Sequence, residues 1–365
     1  MFFTAIIFLV VLSVLVFVHE FGHFITAKKL GVRVDEFGFG FPPRAFFVKR
    51  GGTVYSLNWI PLGGFVKIKG EMAEEATGRD SFATQSAPRR LVILAAGVVM
   101  NMLLAWFLFS VGTMIGLTET VDAVHPSATV RNRAVTVTDV LPDSPAAATG
   151  IGYGDNIIAV NGASITEVAA LQEMLRGASG EVVLTLKRGQ ASREVRVTPV
   201  LLEQTGKPGI GVGLLETGKV SYPFWYAPVR GAQVTVMNTL AVFQAFGGLI
   251  VGLVSGKGVS ADVAGPVGIA VATGEVARLG FIYLLQFTAL LSINLAVINI
   301  LPLPALDGGR VLFLIIEKIR RKPVDRRIEG IVHQIGFAML LLLALLVTIQ
   351  DVRRFGGQII DGLMR

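Results

Sequence analysis

The chain has 365 residues, 52% of them hydrophobic and only 16% charged, with a net charge of +7 and a mean hydropathy of +0.64. That composition excludes an ordinary globular domain and points to several membrane spans. The absence of cysteine excludes disulfides and thiolate metal sites, and a positive balance without an aromatic-interleaved basic patch fits the cytoplasmic loops of a membrane protein, with no nucleic-acid partner.

The first span is expected over 2–27. It is not read as a signal peptide, because it lacks a basic leading region and cleavage after Ala27 would discard its most distinctive feature. That feature is His19-Glu20-Phe21-Gly22-His23, preceded by an uncharged run from Phe2 to Val18. In a helix, HExxH sets two imidazoles one turn apart on one face, where they can hold one Zn²⁺ with the intervening glutamate beside the metal's water. Ionisable groups inside a membrane span are costly and are functional by default.

The stretch 28–90 is rich in Lys and Arg and reads as cytoplasmic. Within it, Gly, Pro and aromatic residues alternate over 34–70, suggesting a membrane-associated β-hairpin. The 54–68 part is expected to offer a free strand edge to an extended substrate, with Tyr55, Ser56 and Leu57 pairing to it. The second span, 91–117, returns outward, so the residues after it are expected outside.

Residues 125–215 have a different character. Val135–Val140 alternates like a strand, Leu141–Pro145 is a turn before an Ala-rich helix, and Gly154–Gly162 reads as a strand closed by an Asn-Gly turn. A helix at 166–176 and a hairpin of Val182–Lys187 with Arg193–Thr198 complete an α+β domain. The order resembles a PDZ domain of the bacterial type. That resemblance implies a carboxylate-binding loop at Gly209, Ile210 and Gly211 and a peptide ligand.

The region 220–275 contains an apolar run, 233–254, carrying Gln233, Asn238 and Gln244. It is expected to lie along the external face or to re-enter without crossing. The third span, 281–304, ends in Asn299-Ile300-Leu301-Pro302-Leu303-Pro304-Ala305-Leu306-Asp307-Gly308-Gly309, where two prolines break the helix. The basic stretch 306–330 reads as cytoplasmic, and 331–349 is the fourth span. Two histidines leave a catalytic zinc one protein ligand short. His125 falls on the wrong side and His333 opens the last span, so the carboxylate of Asp307 is the better candidate, its bland alternative being a helix-end turn residue.

HExxH together with Asn-x-x-Pro-x-Pro-x-x-Asp-Gly-Gly resembles the site-2 protease family of intramembrane zinc metalloproteases. Pro61–Lys67, Gly265–Ala270 and Ile316–Ile319 match as well, so the resemblance covers essentially the whole chain. It implies that His19, His23 and Asp307 ligate Zn²⁺, that Glu20 is the general base and that Asn299 assists near the scissile peptide. It also implies a multi-pass protein of the bacterial inner membrane, with the zinc site toward the cytoplasm and the PDZ domain periplasmic. The implied substrate is a single-pass membrane protein, an anti-sigma factor already trimmed outside. The chain departs from the family in having room for one PDZ domain instead of two. It also has Val98 where the second span's Ala-Gly-Pro-x-x-Asn motif has proline, which puts a role for Asn101 in question.

The expected fold is therefore an α-helical polytopic membrane protein of four transmembrane helices, with a cytoplasmic-side membrane-associated β-hairpin and one inserted α+β PDZ domain. Two other classes stay open on the residues alone: a non-enzymatic membrane scaffold binding peptides through its PDZ domain, and a transporter with an ion site at broken helices.

Overall fold

The computed structural model describes residues 2–71, 78–121, 124–178, 180–188, 191–202, 206–256, 264–322 and 324–363. Parts of the expected 28–90, 125–215 and 220–275 regions, 257–263 among them, lie outside the described residues. The chain divides into two compact units, Met1–Ser110 with Arg230–Arg365, and Val111–Val229.

In the first unit, α1 (Phe2–Lys29), uncharged as far as Val18, carries HExxH. It ends at Gly31, whose φ of 76° follows a last turn holding Lys28 and Lys29, where cations meet the helix's unpaired carbonyls. Two long strands come next, β1 (Val34–Arg50) and β2 (Thr53–Ile68). They pair along more than one line. Phe37 faces both Val66 and Tyr55, and Tyr55 faces both Phe37 and Val48. Four lanes result, in the order 64–68, 34–39, 54–57 and 46–49. Tyr55, Ser56 and Leu57 therefore lie in an interior lane, opposite Phe37–Phe39 on one side and Phe46–Val48 on the other. Tyr55, Ser56 and Leu57 are therefore not the free edge expected within 54–68; the edges are 64–68 and the exposed stretch 41–50. Ser56 is itself buried and donates to Glu36 Oε1 at 2.7 Å.

The helix α2 (Ala87–Ile115) runs antiparallel to α1, Gly22 lying against Ala96 and His19 against Asn101. After the second unit, α5 (Ala227–Val254), which holds the apolar run 233–254, is a continuous helix of 28 residues. Gly231 touches Ser110 and Thr239 touches Met102, so α5 descends beside α2. Val242 is buried with Ala105, Phe109, Ala289, Ile293 and Val297. The chain is then back at the start of α1, because Gly274 of α6 (Pro266–Leu279) lies against Thr4. From there α7 (Phe281–Ile300) runs to the level of HExxH and stops before Pro302; the residue before a proline is driven to extended backbone, and Leu301 has ψ 142°. A short amphipathic helix, α8 (Asp307–Arg320), starts on the ligand candidate itself. Finally α9 (Arg326–Leu363) returns, with His333 near Ala305 at one end and Asp351 accepting from the Gly265 and Gly268 N–H groups at the other. Among the described residues five helices, α1, α2, α5, α7 and α9, are long and apolar enough to cross a membrane.

The second unit is built on one sheet. Its strands are β3 (Leu117–Thr120), β4 (Thr129–Val140), β5 (Asn156–Val160), β6 (Ala163–Ser164), β7 (Val182–Arg188), β8 (Ala191–Val197) and β11 (Val212–Ser221), in the order β3-β11-β4-β5-β7-β8 with β6 beside β5. A small pair, β9 (Val200–Leu202) with β10 (Lys207–Gly209), stands apart. The helices α3 (Pro145–Ala148) and α4 (Val168–Gly177) complete it. Inward-facing Val135, Val137, Ile157, Leu184 and Leu186 pack with Leu171 and Leu175 of α4, as alternation in the strands and the 3.6 period of the helix require.

Candidate active site

His19 and His23, one turn apart on α1, meet the distant Asp307 where α1, α2 and the α7–α8 junction come together. His19 Nε2 and His23 Nε2 lie 3.1 and 3.2 Å from Asp307 Oδ2, and 3.2 Å from one another. Both histidines are buried, and the three donor atoms form the one group of its kind among the described residues that can hold a metal ion. Asp307 Oδ2 has no hydrogen-bond partner despite these separations. A tetrahedral zinc with bonds of about 2.0 Å spaces neighbouring ligand atoms about 3.3 Å apart. The triangle therefore fits the ion, in spacing and in donor chemistry.

The imidazoles are oriented from behind. His23 Nδ1–H donates to the Ile93 carbonyl at 2.8 Å, which leaves the Nε2 lone pair facing inward. His19 Nδ1 lies 3.3 Å from the side-chain amide of Asn101, which is fully buried. Room for two rings one turn apart comes from Gly97 on α2, where a Cβ would overlap His19 and His23. Asp307 is presented by a tight reversal. Gly308 and Gly309 sit against the Ile300, Leu301 and Leu303 carbonyls, leaving no space for side chains, and Ala305 N–H donates to His333 Nδ1 at 2.8 Å. His333 thus braces the loop and is not in the ligand triangle. His125 belongs to the other unit, stacked on Tyr226.

Glu20 points to the same place from α1, its Oε2 accepting the Val66 N–H at 3.1 Å. Val66 belongs to the sheet edge 64–68, so that edge, and not Tyr55–Leu57, adjoins the glutamate. Arg310, one turn after Asp307, is ion-paired with Glu71. Asn299 is half-buried on the last turn of α7 and makes no side-chain hydrogen bond among the described residues. Sequence reasoning passed over Gly97, Val66 and the bracing role of His333. Val66 lay inside a matched motif, but no periodicity marks a backbone N–H as facing a carboxylate.

In the second unit, the Gly209–Gly211 segment joins β10 to β11. The Ile210 and Gly211 carbonyls accept from Ala146 and Leu141, and Gly211 has φ 80°. Their own N–H groups donate to nothing among the described residues. Elsewhere in this unit Asp155 is fully buried. Burial alone raises its pKa, but hydrogen bonds from Arg188 and the Gly152 N–H, with Arg193 nearby, bring it below the ordinary aspartate value.

Residues 7–343 match Peptidase family M50. The chain is 32% identical over 428 aligned positions to zinc metalloprotease RasP of Geobacillus kaustophilus, covering 95% of this chain and 97% of that one. It is 30% identical over 439 positions to the regulator of sigma-W protease RasP of Bacillus subtilis, covering 96% and 98%. Among solved structures, the PDZ domain of an SdrC-like protein of Listeria monocytogenes is similar at 24% identity, covering 24% of this chain and 92% of that one, with a TM-score of 0.22. With the family matched over nearly its whole length and a zinc-compatible donor triangle at its HExxH helix, this chain belongs to peptidase family M50, the site-2 protease family, and is a zinc metalloendopeptidase of the membrane.

Proposed function

We propose that this protein is an intramembrane endopeptidase that cuts the transmembrane segment of single-pass membrane proteins, with a pre-trimmed anti-sigma factor as its substrate. His19, His23 and Asp307 ligate the zinc and Glu20 is the general base. The observation that carries the reading is the triangle of ligand atoms at 3.1–3.2 Å, closed by residues 284 positions apart in sequence (307 minus 23) and set beside a fourth ionisable group, Glu20. The substrate class is supported by the name of the Bacillus subtilis relative, a regulator of sigma-W protease. Family membership removes the scaffold and transporter alternatives.

Zinc, when bound, acidifies water toward neutral pH and polarises a scissile carbonyl. The protein's own groups do the rest. Glu20 takes the proton from the attacking water and returns it to the leaving amide nitrogen. The Val66 N–H holds the Glu20 carboxylate in position. A helical substrate hides its carbonyls in i→i−4 bonds and must unwind before attack. The 64–68 edge, which pairs with no further strand and runs along α1 at Gly63, Gly64 and Val66, takes over the role expected of Tyr55, Ser56 and Leu57: the backbone groups that α1 does not hold are offered to the unwound segment. Asn299, half-buried on the last turn of α7, is assigned the assisting role near the scissile peptide.

Four spans are proposed, α1, α2, α7 and α9, with the basic 28–90 and 306–330 stretches cytoplasmic. The zinc site then faces the cytoplasmic side. The α+β unit is read as a PDZ domain on the outside, periplasmic where there is a periplasm. Gly209, Ile210 and Gly211 form its carboxylate-binding loop, supported by the uncommitted N–H groups. The helix α5 enters beside α2, yet the chain is back at the Thr4 level by Gly274, which supports no net crossing. The deciding experiment is cleavage of single-pass segments by purified protein and by its Glu20→Gln variant, with zinc measured in both. Cleavage by the variant at the wild-type rate would overturn the assignment.

A further inference from the structure

At the end of α1 furthest from Phe2 there is a cavity of about 530 Å³ that the proteolytic site does not use. Lys28, Arg33 and Lys49 line it, together with Gly31, Gly51 and Gly52. The one acid in its wall, Asp80, is already held by Lys69 at 2.7 Å, and Arg33 is held by Asp35 at 2.9 Å. The remaining cations are not neutralised. Lys28 donates only to the Gly51 carbonyl and to Thr53 Oγ1, and Lys49 has no carboxylate partner among the described residues. The glycines keep the walls open, since a Cβ at any of the three would meet nothing within 4 Å.

Three features select the ligand. The charge calls for an anion. The volume is that of an organic headgroup, several times larger than a lone inorganic ion needs. The position is interfacial: Lys28 sits in the last turn of an apolar span, and the strand leading to Lys49 is Phe46-Phe47-Val48, exposed by 64%, 56% and 48%. Alternation puts Phe47 on the same face of that strand as Lys49. An exposed apolar edge strand in water would be a liability, and acyl chains are the cover a membrane supplies. A water-soluble acidic peptide would use the lysines but leave Phe46 to Val48 bare.

We propose that this cavity binds the headgroup of an anionic phospholipid, its phosphodiester between Lys28 and Lys49 and an acyl chain along Phe47. Basic pockets at the ends of membrane helices recognise anionic headgroups in this way. The site is independent of the catalytic assignment, and it joins the end of α1 to the Gly51-Gly52 turn of the hairpin whose other edge holds Glu20.

The test uses the full-length, zinc-loaded protein in mixed micelles of phosphatidylglycerol and phosphatidylcholine with matched acyl chains, with retained lipid counted by native mass spectrometry. The wild type is expected to retain phosphatidylglycerol in preference. Lys49→Gln should lower that preference about fivefold and Lys49→Glu more, as expected for one interfacial cation. Lys28→Gln should act in the same direction, but it also releases the hairpin turn, so Lys49 carries the decision. Wild-type preference in both Lys49 variants, with zinc content unchanged, would overturn the proposal. So would displacement of the lipid by inorganic phosphate, which would make the cavity a soluble-anion site, or by polyglutamate, which would make it a peptide site.

Discussion

The side-chain amide of Asn101 on α2 lies 3.3 Å from His19 Nδ1 on α1, buried and itself making no other hydrogen bond among the described residues. With Nε2 of His19 turned toward Asp307, Nδ1 must carry the ring proton and needs an acceptor. The amide oxygen of Asn101 is the unpaired atom, so a half-turn of the amide satisfies both groups. Loss of the proline at position 98 does not disturb this, because Asn101 is placed by the α1–α2 packing at Gly22 and Gly97. Asn101→Leu is expected to weaken zinc retention by about 10- to 100-fold, the usual effect of removing a ligand's outer partner. Asn101→Asp, still an acceptor, should retain most of it. Competition with a chelator measures this, and unchanged retention in Asn101→Leu would remove Asn101 from the site.

His19→Ala, His23→Ala and Asp307→Ala should each lose zinc and activity together. Glu20→Gln should keep zinc and lose about 10²- to 10⁴-fold in rate, the range for general acid–base catalysis. Metal analysis beside a cleavage assay separates the two kinds of residue. Full activity with bound zinc in Asp307→Ala would show that another group closes the site.

Val66→Pro removes the N–H that holds Glu20 and breaks the edge that substrate would join, whereas Val66→Ala keeps both. Cleavage should fall strongly in the first and little in the second, with zinc content similar in both. Proline at Tyr55 or Leu57, in contrast, cuts an interior lane and should destabilise the whole hairpin. If Tyr55→Pro left the fold intact while Val66→Pro was fully active, the edge would have been assigned to the wrong lane.

Single-cysteine labelling tests the path of α5, since the chain has no native cysteine. Cysteines at Trp225 and Glu275, on either side of α5, should both react with an impermeant reagent from outside. Opposite accessibility would make α5 a full span.

The second unit should lose stability in acid through Asp155. Its pKa is lowered in the fold, so its stabilising contribution is complete above the unfolded value of about 3.9 and disappears as pH falls through the folded value. Hydrogen exchange of the β5 and β7 amides in the full-length protein should show Asp155→Asn less protected than wild type at pH 7. The gap should close toward pH 3. A gap independent of pH would mean that the carboxylate's charge contributes nothing.

The sequence by itself determined the parts whose geometry is local. HExxH fixes two rings on one helix face wherever that helix lies, and uncharged runs of span length mark the long apolar helices α1, α2, α7 and α9. Two prolines followed by Asp307-Gly308-Gly309 fix a helix stop, and strand alternation with turn chemistry marks β4, β5, β7, β8 and the two helices of the α+β unit, but not β11, which pairs along β4, nor the short β3, β9 and β10. Tertiary structure decided everything that depends on neighbours. Alternation in 54–60 tells which side chains share a face but not how many strands flank them, so an interior lane read as an edge until the pairings with 37–39 and 46–48 were seen. The polar residues of 233–254 suggested a segment that does not cross, but not where it packs: Asn238 and Thr239 bond to carbonyls one turn back and leave α5 free to pack on α2. The contacts of Asn101 and Val66 became visible only when α1, α2 and the sheet edge met around Glu20 and His19, because a positioning contact is a property of two distant segments and leaves no period in either.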